Sequence, residues 1–170
     1  MTDEEHLQQY QVIAGYVWRW QFAMGRQAER TIDPADTMSH EVEAHFFAIA
    51  LKNLRASVEW ARDACNGARD GERGGPLAKA LQEFDDAVPN APDVRDIQEH
   101  FIAYETGDKK RHLQHVPAPL AIWWESDETT VIVNVGGYRL DVKHAADAAH
   151  TLAQKALEAL TGATVRPALA

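Results

Sequence analysis

Apolar side chains recur with the period of an α-helix through most of the first hundred or so residues, and this pattern constrains the fold most. Over residues 3–29 one stripe falls at three- and four-residue steps, formed by Tyr10, Ile13, Val17, Trp20 and Met24. Trp18 and Phe22 widen the stripe, so we expect this helix to pack on more than one neighbour. Acidic residues at its start suit the positive end of the helix dipole. The sequence therefore predicts a long first helix.

A turn at residues 31–34 separates this helix from a second long one. Asp33 is the N-cap candidate and Pro34 suits the first helical position. The second helix is predicted to end at residues 66–67, and Trp60 covers one edge of it. Its inward stripe consists of Phe46 or Phe47, Ile49 or Ala50, Leu54, Val58, Ala61 and Cys65. Cys65, the only cysteine, is interpreted as a small buried apolar residue.

Glycine and charged residues dominate residues 68–76, which we interpret as a flexible surface loop. This stretch lacks the ending of a phosphate-binding loop. A third, shorter helix is predicted over residues 77–88, with Leu77, Leu81 and Phe84 inward. After a proline-containing break, a fourth helix is predicted over residues 93–106, and Gly107 closes it. Its inward stripe is Val94, Ile97, Phe101 and Tyr104.

Beyond residue 119 the spacing of apolar residues changes from the period of a helix to the period of a strand. Residues 120–125, 129–135 and 138–142 are β-branched, aromatic or alternating, which predicts an antiparallel hairpin or three-stranded meander near residues 120–142. A helix over residues 144–160 follows and ends at Thr161 and Gly162. We predict one α+β domain over residues 1–170, mainly α. It would consist of a helical core over 1–107, strands over 119–142 and a C-terminal helix over 143–161, with about five helices in an up-down bundle.

Composition narrows the classes of function. A single cysteine permits no internal disulfide and suits a reducing compartment. No apolar run approaches the ~20 residues of a membrane helix, and the N-terminus is acidic where a secretory signal would be basic. We therefore expect a cytoplasmic protein without a membrane partner. The formal net charge is −9, so RNA would be bound only through a local basic patch.

The motif with the clearest chemistry lies on the predicted fourth helix. Asp96 and His100 are four residues apart and share a helix face, and the long side chain of Arg95 reaches toward His100. Histidine moves protons near neutral pH, and arginine binds phosphate oxygens as charge develops on them. A carboxylate fixes the histidine tautomer. These groups suffice for phosphodiester cleavage without a metal.

Arg95-Asp96-x-x-x-His100, late in a bundle that begins with two long helices, resembles the HEPN superfamily. The resemblance covers about residues 3–107 and implies a metal-independent endoribonuclease without a cofactor. It also implies a homodimer whose shared cleft carries both motifs, often in a toxin or defence setting with an antitoxin partner. By position, Arg95 would contact phosphate, His100 would transfer protons and Asp96 would position His100. Glu59 is the best match for a second-helix polar residue.

Several of these features also have an interpretation that involves no chemical function. Asp96 and His100 also suit a surface ion pair with Arg95 solvated. The basic stretch Lys109, Lys110, Arg111 and His112 would extend an RNA-binding surface, or form a solvated loop. His40 and His45 are five residues apart and do not form a zinc-protease motif. Trp123 and Trp124 point to opposite faces of a strand, so one is expected in the core, while the other would contact a partner subunit or stack on a base, of which we favour the subunit contact.

Three functions remain open on the sequence. The first is the HEPN-like ribonuclease, and the second is a HEPN-like bundle that binds a protein or nucleotide without catalysis. The third is an unrelated helical domain that binds a small molecule in an apolar pocket between the first two helices.

Overall fold

A computed structural model describes residues 2–32, 39–89, 91, 122–126, 130–135 and 138–162 of the chain. At positions 39–41, 122–126, 135 and 138 it describes the backbone alone. These residues form seven elements: α1 (Asp3–Ile32), α2 (Ser39–Gly67), α3 (Gly71–Ala87), β1 (Ile122–Ser126), β2 (Val131–Val135), β3 (Tyr138–Asp141) and α4 (Val142–Thr161). The mainly helical α+β class is confirmed. The helix predicted at 93–106 lies outside the described residues.

Helix α1 begins with a reciprocal cap and continues past its predicted end. The Thr2 amide donates to Glu5 Oε2 at 2.7 Å, and the Glu5 amide donates to Thr2 Oγ1 at 3.3 Å, which satisfies two amides of the first turn. The turn predicted from Thr31 is wrong there, because Thr31 is buried and its hydroxyl donates to the Gln27 carbonyl at 2.8 Å. Helix α1 therefore ends at Ile32.

Helix α2 ends at Gly67 as predicted. Its structure also shows which residue is buried at the two places where the apolar pattern allowed either of two. Phe47 and Ala50 are buried, whereas Phe46 is half-exposed. The rest of the predicted stripe, from Leu54 to Cys65, is fully buried. The proposed cap at Asp33 and Pro34 lies outside the described residues.

The flexible loop predicted over residues 68–76 is wrong, because helix α3 begins at Gly71. Asp70 caps this helix by accepting from the Arg73 amide at 3.2 Å. Its own amide donates to the Cys65 carbonyl at 2.9 Å, which ties the turn to the end of α2. Gly74 is buried, and a Cβ there would lie 3.2 Å from Asn66 Oδ1. This glycine therefore permits close helix packing rather than flexibility.

Side-chain contacts show that consecutive helices run antiparallel. The rings of Tyr16 and Trp60 meet at 5.8 Å, while Tyr10, nearer the start of α1, lies beside Cys65, nearer the end of α2. Arg55 of α2 pairs with Asp85 near the end of α3. On α4, His144 contacts the Ala87 carbonyl and Lys155 pairs with Glu83. The four helices of the described ranges thus run up-down-up-down in a bundle.

The sheet packs on this bundle and leads into α4. Its order is β1-β2-β3, with antiparallel pairs such as Trp124 with Val133 and Val133 with Leu140. Asp141 ends β3 and caps α4 by accepting from the His144 amide at 2.9 Å. Gly162, with φ of 68°, ends α4 as predicted. No helix in the described ranges is long and apolar enough to cross a membrane.

Candidate functional site

The residues predicted to carry chemistry and RNA binding lie outside the described residues. This holds for Arg95, Asp96 and His100, and for the basic stretch of Lys109, Lys110, Arg111 and His112. Their roles stay predictions. The described residue nearest to the motif in sequence is Ala91, four positions before Arg95.

Ala91 lies beside a cluster of charged residues between α2 and α3, which we call the α2–α3 ion cluster. Arg55 forms a bidentate pair with Asp85, with both nitrogen–oxygen distances at 2.7 Å. Glu59 accepts from Arg55 at 3.2 Å and from Arg62 at 3.3 Å. The hydrogen bond to Asp85 raises the pKa of Arg55. This arginine is therefore committed to protein carboxylates, and Glu59 is held by two cations.

A small cavity of about 110 Å³ opens beside this cluster. Arg55, Glu59 and Ala91 line it together with two core residues, Leu51 and Phe84, and with Lys52 and Ala56 of α2. Glu59, the second-helix polar residue singled out from sequence, thus lies on the side where the chain leaves α3.

The N-terminal half of α1 contributes to a second cluster, the sealed corner of Tyr10, Cys65, Asp70 and Arg73. The Arg73 guanidinium lies 5.5 Å above the Tyr10 ring and pairs with Asp70 at 2.8 Å. Burial raises the pKa of Tyr10 to about 12, with a further contribution from Cys65. Burial also raises the pKa of the Cys65 thiol. A protonated, inaccessible thiol is a poor nucleophile, so this corner is structural.

The C-terminal half of α1 and α4 enclose a groove of about 610 Å³. We call it the α1–α4 groove. Trp18 and Phe22, expected to widen the packing stripe of α1, lie on its wall with 59% and 63% of their surface exposed. Their rings are nearly parallel, with centroids 6.1 Å apart. Helix α1 does pack on two neighbours, α2 and α4, but not through these two rings.

Polar side chains converge inside the α1–α4 groove on His150. The amide of Gln21 lies 2.8 Å from its Nδ1, and the amide of Gln154 lies 2.9 Å from its Nε2. Both contacts are made by the Nε2 atom of a glutamine, which donates and does not accept, so the ring does not use the two Oε1 atoms. Each amide keeps further hydrogen-bonding capacity. The groove thus presents donors and acceptors beside an apolar aromatic wall.

Sequence reasoning missed this groove. Trp18 with Phe22 and His150 with Gln154 are each four residues apart, a spacing that marks shared helix faces. The contact of Gln21 with His150 spans 129 positions, and no local pattern reveals it. The small-molecule hypothesis had placed its pocket between the first two helices, whereas this groove lies between α1 and α4.

The described part of the chain contains no group of three or more His, Cys, Asp or Glu residues placed to hold a metal ion. His45, for example, lies beside the Phe46 ring at 6.2 Å.

Comparison of the chain with protein-family models, curated proteins and solved structures finds no match. The resemblance to the HEPN superfamily therefore rests on the sequence motif.

Proposed function

We propose that this chain is a HEPN-like, metal-independent endoribonuclease that acts as a homodimer, in a toxin or defence setting. In this proposal Arg95 binds the scissile phosphate, and His100 transfers protons while Asp96 holds its tautomer. The basic stretch from Lys109 to His112 binds the RNA backbone. An acidic protein would need such a local patch, because phosphate contacts supply most of the affinity for RNA.

The observation that supports this proposal is the position of Ala91 beside the α2–α3 ion cluster. Ala91 and Arg95 are four positions apart, and an extended chain of that length spans at most about 14 Å. In this proposal the motif lies close to Glu59, the polar residue of α2 that the resemblance singles out. The long antiparallel pair of α1 and α2 agrees with the bundle that the resemblance implies.

The chemistry would use the hydroxyl of the RNA itself. His100 takes the proton from a ribose 2′-hydroxyl, whose oxygen attacks the adjacent phosphorus and expels the 5′-oxygen of the next nucleotide. The products are a 2′,3′-cyclic phosphate and a 5′-hydroxyl, the latter protonated by a general acid. The Arg95 guanidinium stabilises the charge that develops on the phosphoryl oxygens.

The test is cleavage of mixed cellular RNA by purified protein in the presence of a chelator. Arg95→Ala and His100→Ala are each expected to lower the rate by about 100-fold or more, since a general acid–base residue contributes 10²–10⁴-fold. Arg30→Ala and His144→Ala, exposed residues of α1 and α4, are matched controls that should retain full activity.

The opposite results have a definite meaning. Absence of cleavage, or equal rates in all five proteins, would overturn the ribonuclease and favour the non-catalytic binding module. In that case His100→Ala would be tolerated, and Asp96 and His100 would form a surface pair.

A further inference from the structure

We propose that the α1–α4 groove binds a neutral, flat aromatic small molecule that carries a lactam or amide group. This site is separate from the Arg95–His100 motif and does not depend on ribonuclease activity. Its volume, about 610 Å³, is within the range of ~300–1,000 Å³ typical of small-molecule sites.

The flat aromatic part of the ligand follows from Trp18 and Phe22. Large aromatic side chains are seldom left more than half exposed beside one another unless the patch has a partner. Their rings are tilted by only 14° relative to each other. A planar ring system laid against this wall would extend the stack by packing on the face of one of the two rings.

The lactam or amide group follows from Gln21, His150 and Gln154. Because the ring contacts only the two Nε2 atoms, it leaves both Oε1 acceptors and the second N–H of each amide unused. A lactam carries an N–H and a C=O side by side, and it complements such a pair. A hydrocarbon ring would leave these groups unpaired at the contact, which weakens binding.

The neutral charge of the ligand follows from the groove rim. Two cations, Arg26 and Lys143, face two carboxylates, Glu29 and Asp147. Arg26 and Glu29 already approach each other to 3.8 Å. The balanced rim gives no net preference for an anion, which argues against a phosphate-bearing ligand.

Gly25 keeps the groove open. A Cβ at this position would meet no atom within 4 Å, so no close helix contact requires a glycine there. A helix with glycine in its interior is less stable than one with alanine or leucine at the same position. Its effect is to leave space along the α1 side of the groove. Gly15 is equally open on the same helix but does not line the groove.

This difference gives a matched pair of variants. We would titrate isoquinolone, an aromatic lactam, into the full chain by calorimetry and repeat the titration with Gly25→Leu and Gly15→Leu. Gly25→Leu should weaken binding by about tenfold or more, a change of about 1.4 kcal/mol, because leucine fills the groove. Gly15→Leu should leave the affinity unchanged. Both variants should keep the thermal midpoint of the parent or raise it.

Naphthalene, which has the same ring outline without the polar group, tests the ligand class. We expect isoquinolone to bind about tenfold more tightly, as one or two hydrogen bonds would supply. Gln21→Leu should remove most of this preference while naphthalene binding is retained.

Four results would overturn the proposal. They are no isoquinolone binding, equal affinities of Gly25→Leu and the parent, equal affinities of the two probes, and displacement of isoquinolone by single-stranded RNA. The last would make the groove part of an RNA-binding surface. None of them depends on whether Arg95 and His100 cleave RNA, so the two proposals fail separately.

Discussion

The two halves of α1 meet different surroundings. In the N-terminal half, Tyr10 is 2% exposed and lies under the Arg73 guanidinium, which in turn pairs with Asp70. In the C-terminal half, Trp18 and Phe22 line an open groove, and within the described part of the chain the amides of Gln21 and Gln154 contact the ring of His150.

This difference separates residues that stabilise the fold from residues that remain available for a ligand. In the sealed corner, the charge of Arg73 is balanced by Asp70, and the aromatic ring contributes its full buried area to the core. In the α1–α4 groove, aromatic area and hydrogen-bonding capacity remain uncovered. Binding sites combine these same two properties. One helix thus supports both packing and recognition.

The largest effect on stability is expected from removing one aromatic residue from each half of α1. Tyr10→Ala should lower the free energy of unfolding by about 3 kcal/mol, because it empties a buried aromatic site. Trp18→Ala should lower it by about 0.5 kcal/mol or less, as expected of an exposed residue. Urea unfolding followed by far-ultraviolet circular dichroism measures both. Comparable losses would show that Trp18 is part of the core and would remove the distinction.

We expect the loss of stability at high pH to come from the sealed corner. Unfolded tyrosine loses its proton near pH 10, whereas the buried Tyr10 has a pKa of about 12. Between these values the unfolded state binds fewer protons, so the free energy of unfolding falls as pH rises. The expected loss between pH 10 and 12 is about 1–3 kcal/mol.

Tyr10→Phe is the control, because it keeps the ring and removes the hydroxyl. The difference between the parent and Tyr10→Phe isolates this group from other bases that titrate in the same range. If both proteins lose stability in parallel above pH 10, Tyr10 is not the cause.

A smaller effect is expected at the cap of α3. Asp70→Ala should cost about 1 kcal/mol, typical of a lost N-cap, whereas Asp63→Ala, on an exposed side chain, should cost less. The hydrogen bond from Arg73 lowers the pKa of Asp70. The stabilisation by ionised Asp70 is therefore fully present above about pH 4. It is lost as the pH falls through the lower pKa that Asp70 has in the folded state. Asp70→Asn should keep the cap but remove this acid dependence, and an unchanged acid profile would contradict the assignment.

Elements with a regular period could be predicted from the sequence. The burial of Ile13, Val17 and Leu54 follows from three- and four-residue spacing alone. The strands follow from alternation and β-branching, and Gly162 ends α4 as a left-handed C-cap. Within a helix, spacing left Phe46 and Phe47 as alternatives, because two adjacent aromatic residues fit the same stripe until the neighbouring helices are placed.

The start of α3 and the α1–α4 groove could not be predicted, for different reasons. Glycine-rich sequence usually indicates a loop, yet Gly74 lies inside α3, where a Cβ would come within 3.2 Å of Asn66 Oδ1, a tertiary contact. The groove depends on how α1 lies against α4, more than 100 residues later. Side chains such as Gln21 and Gln154 look like ordinary helix-surface residues until that pairing is known.

The antiparallel packing of α1 against α4 also sets the order of events during synthesis. About 110 residues separate Ile32 from Val142, and a ribosome that adds ~5–20 residues per second needs about 5–20 seconds to make them. During that interval the side of α1 that later contacts α4, which includes Gln21, is not yet covered by that helix. The nascent chain therefore exposes this surface to chaperones for seconds, and α4 closes it last.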